Sequence, residues 1–325
     1  MTPAHFENVF LSGGAGFIGS HLTRRLLENP ALRRLIIFDN FSSGRESHLA
    51  GLSADPRLTI VHGDLKELPA VKTAMAGCDT VFHLAANPDI AKAVTQPDID
   101  FWEGTYLAQN VLEAMRVNGV GTILYASGSG VYGENAAVAF TESYGPCFPI
   151  STYGASKLAC EALISAYCHM FGMEGRAFRI ANIVGPRQTH GVGYDFVRRL
   201  RADPARLRLL GDGSQSKSYI HVDDVLSALF TVAEKCDACF DLFNVATDDY
   251  LTVKEIADIA VGVAGIDPSS VQYEFTGGDR GWKGDVPIVR FDASKMKALG
   301  WRAARTSAEA VRAAIASMSG EIANL

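Results

Sequence analysis

The sequence predicts an α/β fold, a doubly wound parallel sheet followed by a smaller C-terminal α/β domain. Three observations predict it. Short apolar runs alternate with helical patterns through the first half. A glycine-rich turn joins the first run to the first helix, and Gly and Pro punctuation loosens the pattern after about residue 183.

Taken in order, NVFLSG (8–13), RLIIFD (34–39), LTIVHG (58–63), TVFHLAA (80–86), TILYAS (122–127) and AFRIAN (177–182) read as strands. Each is nearly continuous in apolar residues, as a sheet covered by helices on both faces requires. Helical segments fall between them at 17–29, 65–76, 98–118 and 152–171. The last two repeat apolar residues three or four apart, with Leu107, Val111, Leu112 and Met115 in one and Leu158, Leu163, Ile164 and Tyr167 in the other. Such alternation implies right-handed crossovers. Beyond them, GPRQTHGVGYDF (185–196) and GDGSQSKSY (211–219) read as loops. Helices are expected near 222–235, 252–264, 294–299 and 306–319, with one more strand at 239–247. The predicted division is 1–182 and 183–325, with a ligand cleft between the two domains.

Composition excludes several classes. The 325 residues are 48% hydrophobic and 20% charged, enough apolar matter for a substantial core. The net charge of −6 comes without any basic stripe, which argues against nucleic acid as a partner. No apolar run approaches the roughly 20 residues that cross a bilayer, and the N-terminal segment does not read as a secretory signal, so no membrane partner and a cytoplasmic location are expected. Six cysteines are too sparse for a disulfide scaffold. Cys236 and Cys239 form a C-x-x-C, but no second ligand pair lies nearby, so no metal is expected and the two read as ordinary thiols.

The first strand runs into Ser12-Gly-Gly-Ala-Gly-Phe-Ile-Gly-Ser20 and then a helix. Gly13, Gly16 and Gly19 suit a tight strand-to-helix turn, close approach of backbone to a pyrophosphate, and an anion at a helix N-terminus. Twenty residues past Gly19, Asp39 ends the second strand, placed to accept hydrogen bonds from an adenosine ribose. Its charge would repel a 2′-phosphate, which favours NAD over NADP, although Arg45 lies close by in sequence. A turn-initiating role before Asn40 is the other reading of Asp39. Asp64, after the third strand, could equally reach the adenine or cap a helix.

Tyr153-Gly-Ala-Ser-Lys157 is the second constellation. Residues at i and i+4 share one helix face. A nearby ammonium stabilises phenolate, so the tyrosine becomes a general base for alcohol oxidation. The pattern alone is a cheap match. After five predicted strands of a dinucleotide domain, at a helix start, it is specific.

GGAGFIGSHL (13–22), FDNFSSG (38–44), HLAA (83–86), VYGE (131–134), STYGASKLACE (151–161), RIANIVGPR (179–187) and SYIHVDDV (218–225) together resemble the extended short-chain dehydrogenase/reductase family. Within it they are most similar to nucleotide-sugar epimerases of the UDP-glucose 4-epimerase type. The resemblance spans about residues 8–315 and implies a Rossmann-type sheet with NAD held tightly, and a C-terminal domain for a nucleoside diphosphate sugar. It implies cofactor contacts from Gly13, Gly16, Phe17, Ile18, Asp39, Asn40, Ser42, Ser43, Gly44, Asp64, Leu65, Leu84, Ala85 and Ala86. Tyr153 would be the base on the sugar 4-hydroxyl and Lys157 would bind the nicotinamide ribose. Asn182, Lys217 and Arg280 would hold the substrate, the two cations against its diphosphate. It also implies a homodimer pairing the helices at 98–118 and 152–171.

Two positions depart from the family. Gly128 stands where Ser or Thr is usual, and Gly104 where Asn is usual. The missing hydroxyl at 128 must be replaced by Ser129, by water, or by Ser127, in that order of preference. Dehydratase relatives carry Asp-Glu where this chain has Ser129-Gly130, which argues against elimination of water. The expected activity is therefore inversion of C4 of a UDP-hexose through a 4-keto sugar. A UDP-glucuronate 4-epimerase or decarboxylase, a 4-keto sugar reductase, and a non-catalytic dinucleotide-binding protein are the alternatives.

Overall fold

The computed structural model describes residues 6–323. Its first part alternates as expected: β1 (Asn8–Ser12), α1 (Phe17–Leu27), β2 (Arg34–Asp39), β3 (Leu58–His62), α2 (Leu68–Met75), β4 (Thr80–His83), α3 (Tyr106–Asn118), β5 (Thr122–Gly128), α4 (Thr152–Phe171) and β6 (Glu174–Ile180). There follow β7 (Asn182–Val184), α5 (Val192–Ala202), β8 (Arg206–Leu209), β9 (Ser216–Lys217), β10 (Tyr219–His221), α6 (Val222–Lys235) and β11 (Phe240–Val245). The chain closes with β12 (Leu251–Thr252), α7 (Val253–Val263), β13 (Gln272–Phe275), α8 (Ser294–Ala298) and α9 (Ser307–Ala323).

Seven strands form one sheet in the order β11-β6-β5-β4-β1-β2-β3. The pairs β1–β2, β2–β3, β1–β4 and β4–β5 are parallel. The chain winds outward from β1 to β3, then returns to place β4 on the other flank of β1. Strand order reverses there, and the reversal sets Ser12 beside His83 at the strand ends. This is the Rossmann-type architecture, whose ligand crevice lies at such a switch point. Phe10, Ile36, Phe38 and Val81 from the strands pack with Val111, Leu112, Met115 and Ile164 from α3 and α4. Edge strand β3 has one neighbour and leaves Thr59, Ile60 and His62 exposed.

Local chemistry fixes the helix ends. The Ser151 hydroxyl accepts from the Gly154 N–H at 3.1 Å and opens α4, while Gly172, at φ 68°, closes it. A serine cap of this kind contributes about 1 kcal/mol. Gly119 closes α3 in the same left-handed conformation.

The structure differs from the sequence expectation in several places, short strands β8, β9, β10, β12 and β13 among them. The helix expected at 98–118 runs continuously over 99–118, but it passes through a π-helical turn over Phe101–Thr105 before α3. The strand expected at 177–182 begins at Glu174 and ends at Ile180, and Asn182 starts the separate strand β7, paired with β10. Helix α5 is where a loop was expected. Gly191 and Gly193 mask its start, yet it buries Phe196, Val197 and Leu200. Finally, two compact units interleave in sequence. One takes residues up to Val131, Ser151–Arg179 and Leu226–Phe243; the other takes Tyr132–Ile150, Ile180–Val225 and the chain from Asn244. The expected boundary at 182/183 sits near one of several crossings. Burial drives the last exchange: Phe240 and Leu242 pack on the core of the first unit, where Phe243 also stacks on Phe178 at 5.8 Å.

The second unit has its own core, with Phe196, Leu200, Leu207, Leu209, Ile256, Ala260, Val311 and Ile315 all buried. No helix among the described residues is long and apolar enough to cross a membrane.

Candidate functional site

The end of β1 turns sharply. Gly13 has φ 75°, and a Cβ there would lie 2.9 Å from the Ala85 nitrogen. Only glycine meets both demands. The Gly16 N–H donates to the Gly13 carbonyl at 3.2 Å, closing the turn onto α1. Helix α1 has no side-chain cap and no acidic residue in its first turn. The N–H groups at Phe17 and Ile18 therefore keep the positive end of the helix open to an anion.

Asp39 stands 8% exposed at the end of β2. Its carboxylate accepts from the Ala15 N–H at 2.9 Å and from the Phe41 N–H at 2.8 Å. So it starts the turn through Asn40 and also braces the glycine loop. Ionised, it has four lone-pair sites, which leaves two for ligand hydroxyls. Ser42 and Ser43 are exposed beyond it, and a Cβ on Gly44 would crowd Ala15 and the Asp39 carboxylate. Asp64 spends one oxygen on the Lys66 N–H at 2.9 Å and does not cap α2, whose cap position is Glu67. Leu65 beside it is buried, and Leu84, Ala85 and Ala86 are half-buried past the end of β4. A glycine cradle that side chains would fill, an uncapped helix N-terminus and an oriented acid together fit a dinucleotide.

Tyr153 and Lys157 lie in the first two turns of α4. The Lys157 ammonium is buried, donates to the Ala126 carbonyl at 2.6 Å, and sits 5.5 Å from the Tyr153 ring centre and 4.9 Å from that of Tyr125. Cation–ring contacts of this kind hold an ammonium in place. Behind them His83 stacks on Tyr125 at 5.6 Å, and its Nδ1 meets the Ser12 hydroxyl at 2.7 Å. Burial, helped by the Lys157 charge, pushes His83 down to about 3, so it stays neutral. Burial also pushes the Tyr125 phenol up, leaving it protonated.

One turn further along α4, Glu161 accepts the Ser127 hydroxyl at 2.5 Å and the Arg179 guanidinium at 2.7 and 3.0 Å, with all three buried. Strand β5 thus presents the Ala126 carbonyl to Lys157 and the Ser127 hydroxyl to Glu161. Ser129 opens a 3-10 turn over Ser129–Tyr132 and is half-buried. Its hydroxyl has no hydrogen-bond partner among the described residues. A Cβ on Gly130 would come within 3.3 Å of the Gly154 Cα, so this turn lies close against the start of α4.

The remaining candidates belong to the second unit. Lys217 donates to Asp285 at 2.6 Å, while Arg280 donates to the Glu134 carboxylate at 2.8 Å and to the Asp285 carbonyl at 3.0 Å. Both cations thus converge on Asp285. Asn182 stands in register opposite Tyr219 across β7 and β10, and burial pushes the Tyr219 phenol up to about 12. Arg290 was not foreseen. It donates to the Ser216 carbonyl at 2.9 Å while covering the Tyr250 ring at 4.0 Å, and so braces the strand that carries Lys217. Glu161 and Arg179 were not foreseen either. An i+8 carboxylate on the dyad's face was the available signal.

The family model described as "NAD dependent epimerase/dehydratase family" matches residues 9–246. A crystal structure of a UDP-galactose 4-epimerase superposes with a TM-score of 0.83 and 37% identity, covering 97% of this chain and 99% of that one. The UDP-glucose 4-epimerase of Thermus thermophilus, solved in complex with NAD, gives 0.82 and 29%, covering 96% and 99%. The dTDP-glucose 4,6-dehydratase of Streptomyces griseus is 29% identical over 269 residues, 82% of this chain and 81% of its own.

Proposed function

The chain belongs to the NAD-dependent epimerase/dehydratase family, as an enzyme that uses NAD, and from that premise we propose that it inverts C4 of a UDP-hexose of the glucose/galactose type. The observation that carries this choice within the family is the turn beside the Tyr153–Lys157 pair. It reads Gly128-Ser129-Gly130 and brings no carboxylate to the site. Elimination of water across C5 and C6 needs an acid and a base there, whereas C4 inversion does not.

Each residue has a role in this reading. Gly13, Gly16, Phe17 and Ile18 hold the pyrophosphate of NAD; Asp39, Asn40, Ser42, Ser43 and Gly44 hold its adenosine ribose. Asp64 and Leu65 flank the adenine, and Leu84, Ala85 and Ala86 line the path toward the nicotinamide. Bound NAD supplies a reversible hydride acceptor for C4. Tyr153 takes the 4-hydroxyl proton and returns it, which suits an ammonium as close as that of Lys157. Lys157 also faces the nicotinamide ribose. Ser129, with its uncommitted hydroxyl, stands in for the hydroxyl that Gly128 lacks. Ser127 ranks below it because its proton is given to Glu161. Lys217 and Arg280 exchange their carboxylate partners for the diphosphate, and Asn182 helps hold the substrate.

Two further assignments complete the reading. The chain works as a homodimer through α3 and α4, where Val117, Met170 and Phe171 stay 51%, 72% and 45% exposed. It is cytoplasmic, in keeping with six free thiols.

Incubation with UDP-glucose, UDP-N-acetylglucosamine and UDP-glucuronate, with products read by NMR, tests the activity. Conversion of UDP-glucose to its C4 epimer is expected. A dehydrated product would overturn the choice, and turnover of UDP-glucuronate alone would move it to the uronic acid.

A further inference from the structure

We propose that Asp100 is a positioning residue for the Tyr153–Lys157 pair, and that Gly104 is the space that lets it act. Asp100 is 1% exposed and makes no ion pair among the described residues. Its carboxylate accepts the Thr152 hydroxyl at 2.7 Å and the Asn87 amide at 2.8 Å. Its carbonyl accepts the Ser156 hydroxyl at 2.6 Å. Thr152 immediately precedes Tyr153, and Ser156 immediately precedes Lys157. One residue therefore grips the backbone neighbour of each member of the pair. Through Asn87 it also reaches the segment that follows Ala86 at the end of β4.

Burying a carboxylate without a cation is costly, and hydrogen bonds must offset the cost. Here the donors are a hydroxyl and an amide, with the positive end of α4 alongside. Asp100 directly precedes the π-helical turn over Phe101–Thr105, an irregularity that clusters at functional sites. Gly104 lies within that turn. A Cβ there would fall on the Ser156 hydroxyl, which also meets the Thr105 hydroxyl at 2.9 Å. The glycine that departs from the family pattern is thereby explained, because a side chain at 104 would push Ser156 off the Asp100 carbonyl.

This inference rests on Tyr153 being the base, so the test separates the two. In the full-length, NAD-loaded protein, Thr152→Val should lower kcat about tenfold on the UDP-sugar the unmodified chain turns over. UDP affinity and NAD content should hold, while the melting temperature falls modestly because the buried Asp100 carboxylate loses one of its two side-chain donors. Thr152→Ser, which keeps the hydroxyl, should restore kcat to within about twofold. Gly104→Ala, which in a helix would otherwise be favourable, should lower kcat similarly, and should cost nothing further in a Ser156→Ala background. A crystal structure of Gly104→Ala should show the first turns of α4 displaced. Unchanged kcat in Thr152→Val, equal impairment in Thr152→Ser, or an unmoved α4 would overturn the positioning role. Turnover by Tyr153→Phe would instead remove the catalytic assignment on which it rests.

Discussion

Ser127 donates its hydroxyl to Glu161 at 2.5 Å, in a buried cluster closed by Arg179. That bond separates two neighbouring serines by role. Ser129→Ala should lower kcat by roughly ten- to a thousandfold, the range of a lost acid–base or polarising contact. Ser127→Ala should instead lower stability in urea by about 1.5–3 kcal/mol, the worth of a hydrogen bond to a charged group. Reversal of the two effects would exchange the roles.

Tyr153→Phe should lower kcat by about 10²–10⁴, since Lys157, as an ammonium, cannot take the C4 proton in its place. NAD should remain bound, as read by its absorbance after denaturation. Lys157→Met should lose activity and weaken NAD together.

Asp39→Ala should weaken NAD by about 1–3 kcal/mol, roughly five- to 150-fold in Kd, because a buried acceptor for the ribose is lost. Calorimetry with the apoprotein checks it. Tighter binding of NADP than NAD by the unmodified chain would refute the assignment of Asp39.

His83 makes stability depend on acidity. An unfolded histidine takes a proton below its ordinary 6.5, while the folded one refuses it down to about 3. Between those values the unfolded state binds more protons, so stability rises with pH and is lost as pH falls through the window. The slope is at most about 1.4 kcal/mol per pH unit from this one group. His83→Phe, which keeps a ring against Tyr125, should flatten that part of a urea-denaturation profile between pH 6.5 and 4.5.

Light scattering at micromolar concentration should report a dimer, and charge placed on its exposed face (Met170→Glu with Phe171→Glu) should give a folded monomer. A monomeric unmodified chain would remove the homodimer.

What the sequence disclosed was local. Gly13, Gly16 and Asp39 announce themselves because strand, turn and helix follow one another directly, and Tyr153 and Lys157 because one helical turn separates them. Asp100 carries no such signal. Its partners lie 13 and 52 residues away, and its burial follows from a π-helical turn that no apolar period marks. Arg179 and Glu161 meet only because β6 is laid beside β5. Helix α5 escaped for a simpler reason, two glycines at its start that imitate a loop. The crossing of 132–150 into the second unit depends on packing that no segment of sequence states.

The interleaved chain also dictates an order of events at the ribosome. Strands β1 to β5 emerge first, but the strands that extend the sheet past β5 end at Ile180 and Val245. At about 5–20 residues per second, the open flank of β5 waits roughly 3–10 seconds for β6, which ends at Ile180, and β6 in turn waits longer for β11. During the first interval the β5 flank is an open, apolar sheet edge able to pair with another nascent chain. A slow stretch of translation after residue 131 would lengthen this exposure, and a holdase bound to the emerging β5 would shield it. For this enzyme, yield in a foreign host should therefore track synthesis rate and chaperone supply more closely than the stability of the finished fold.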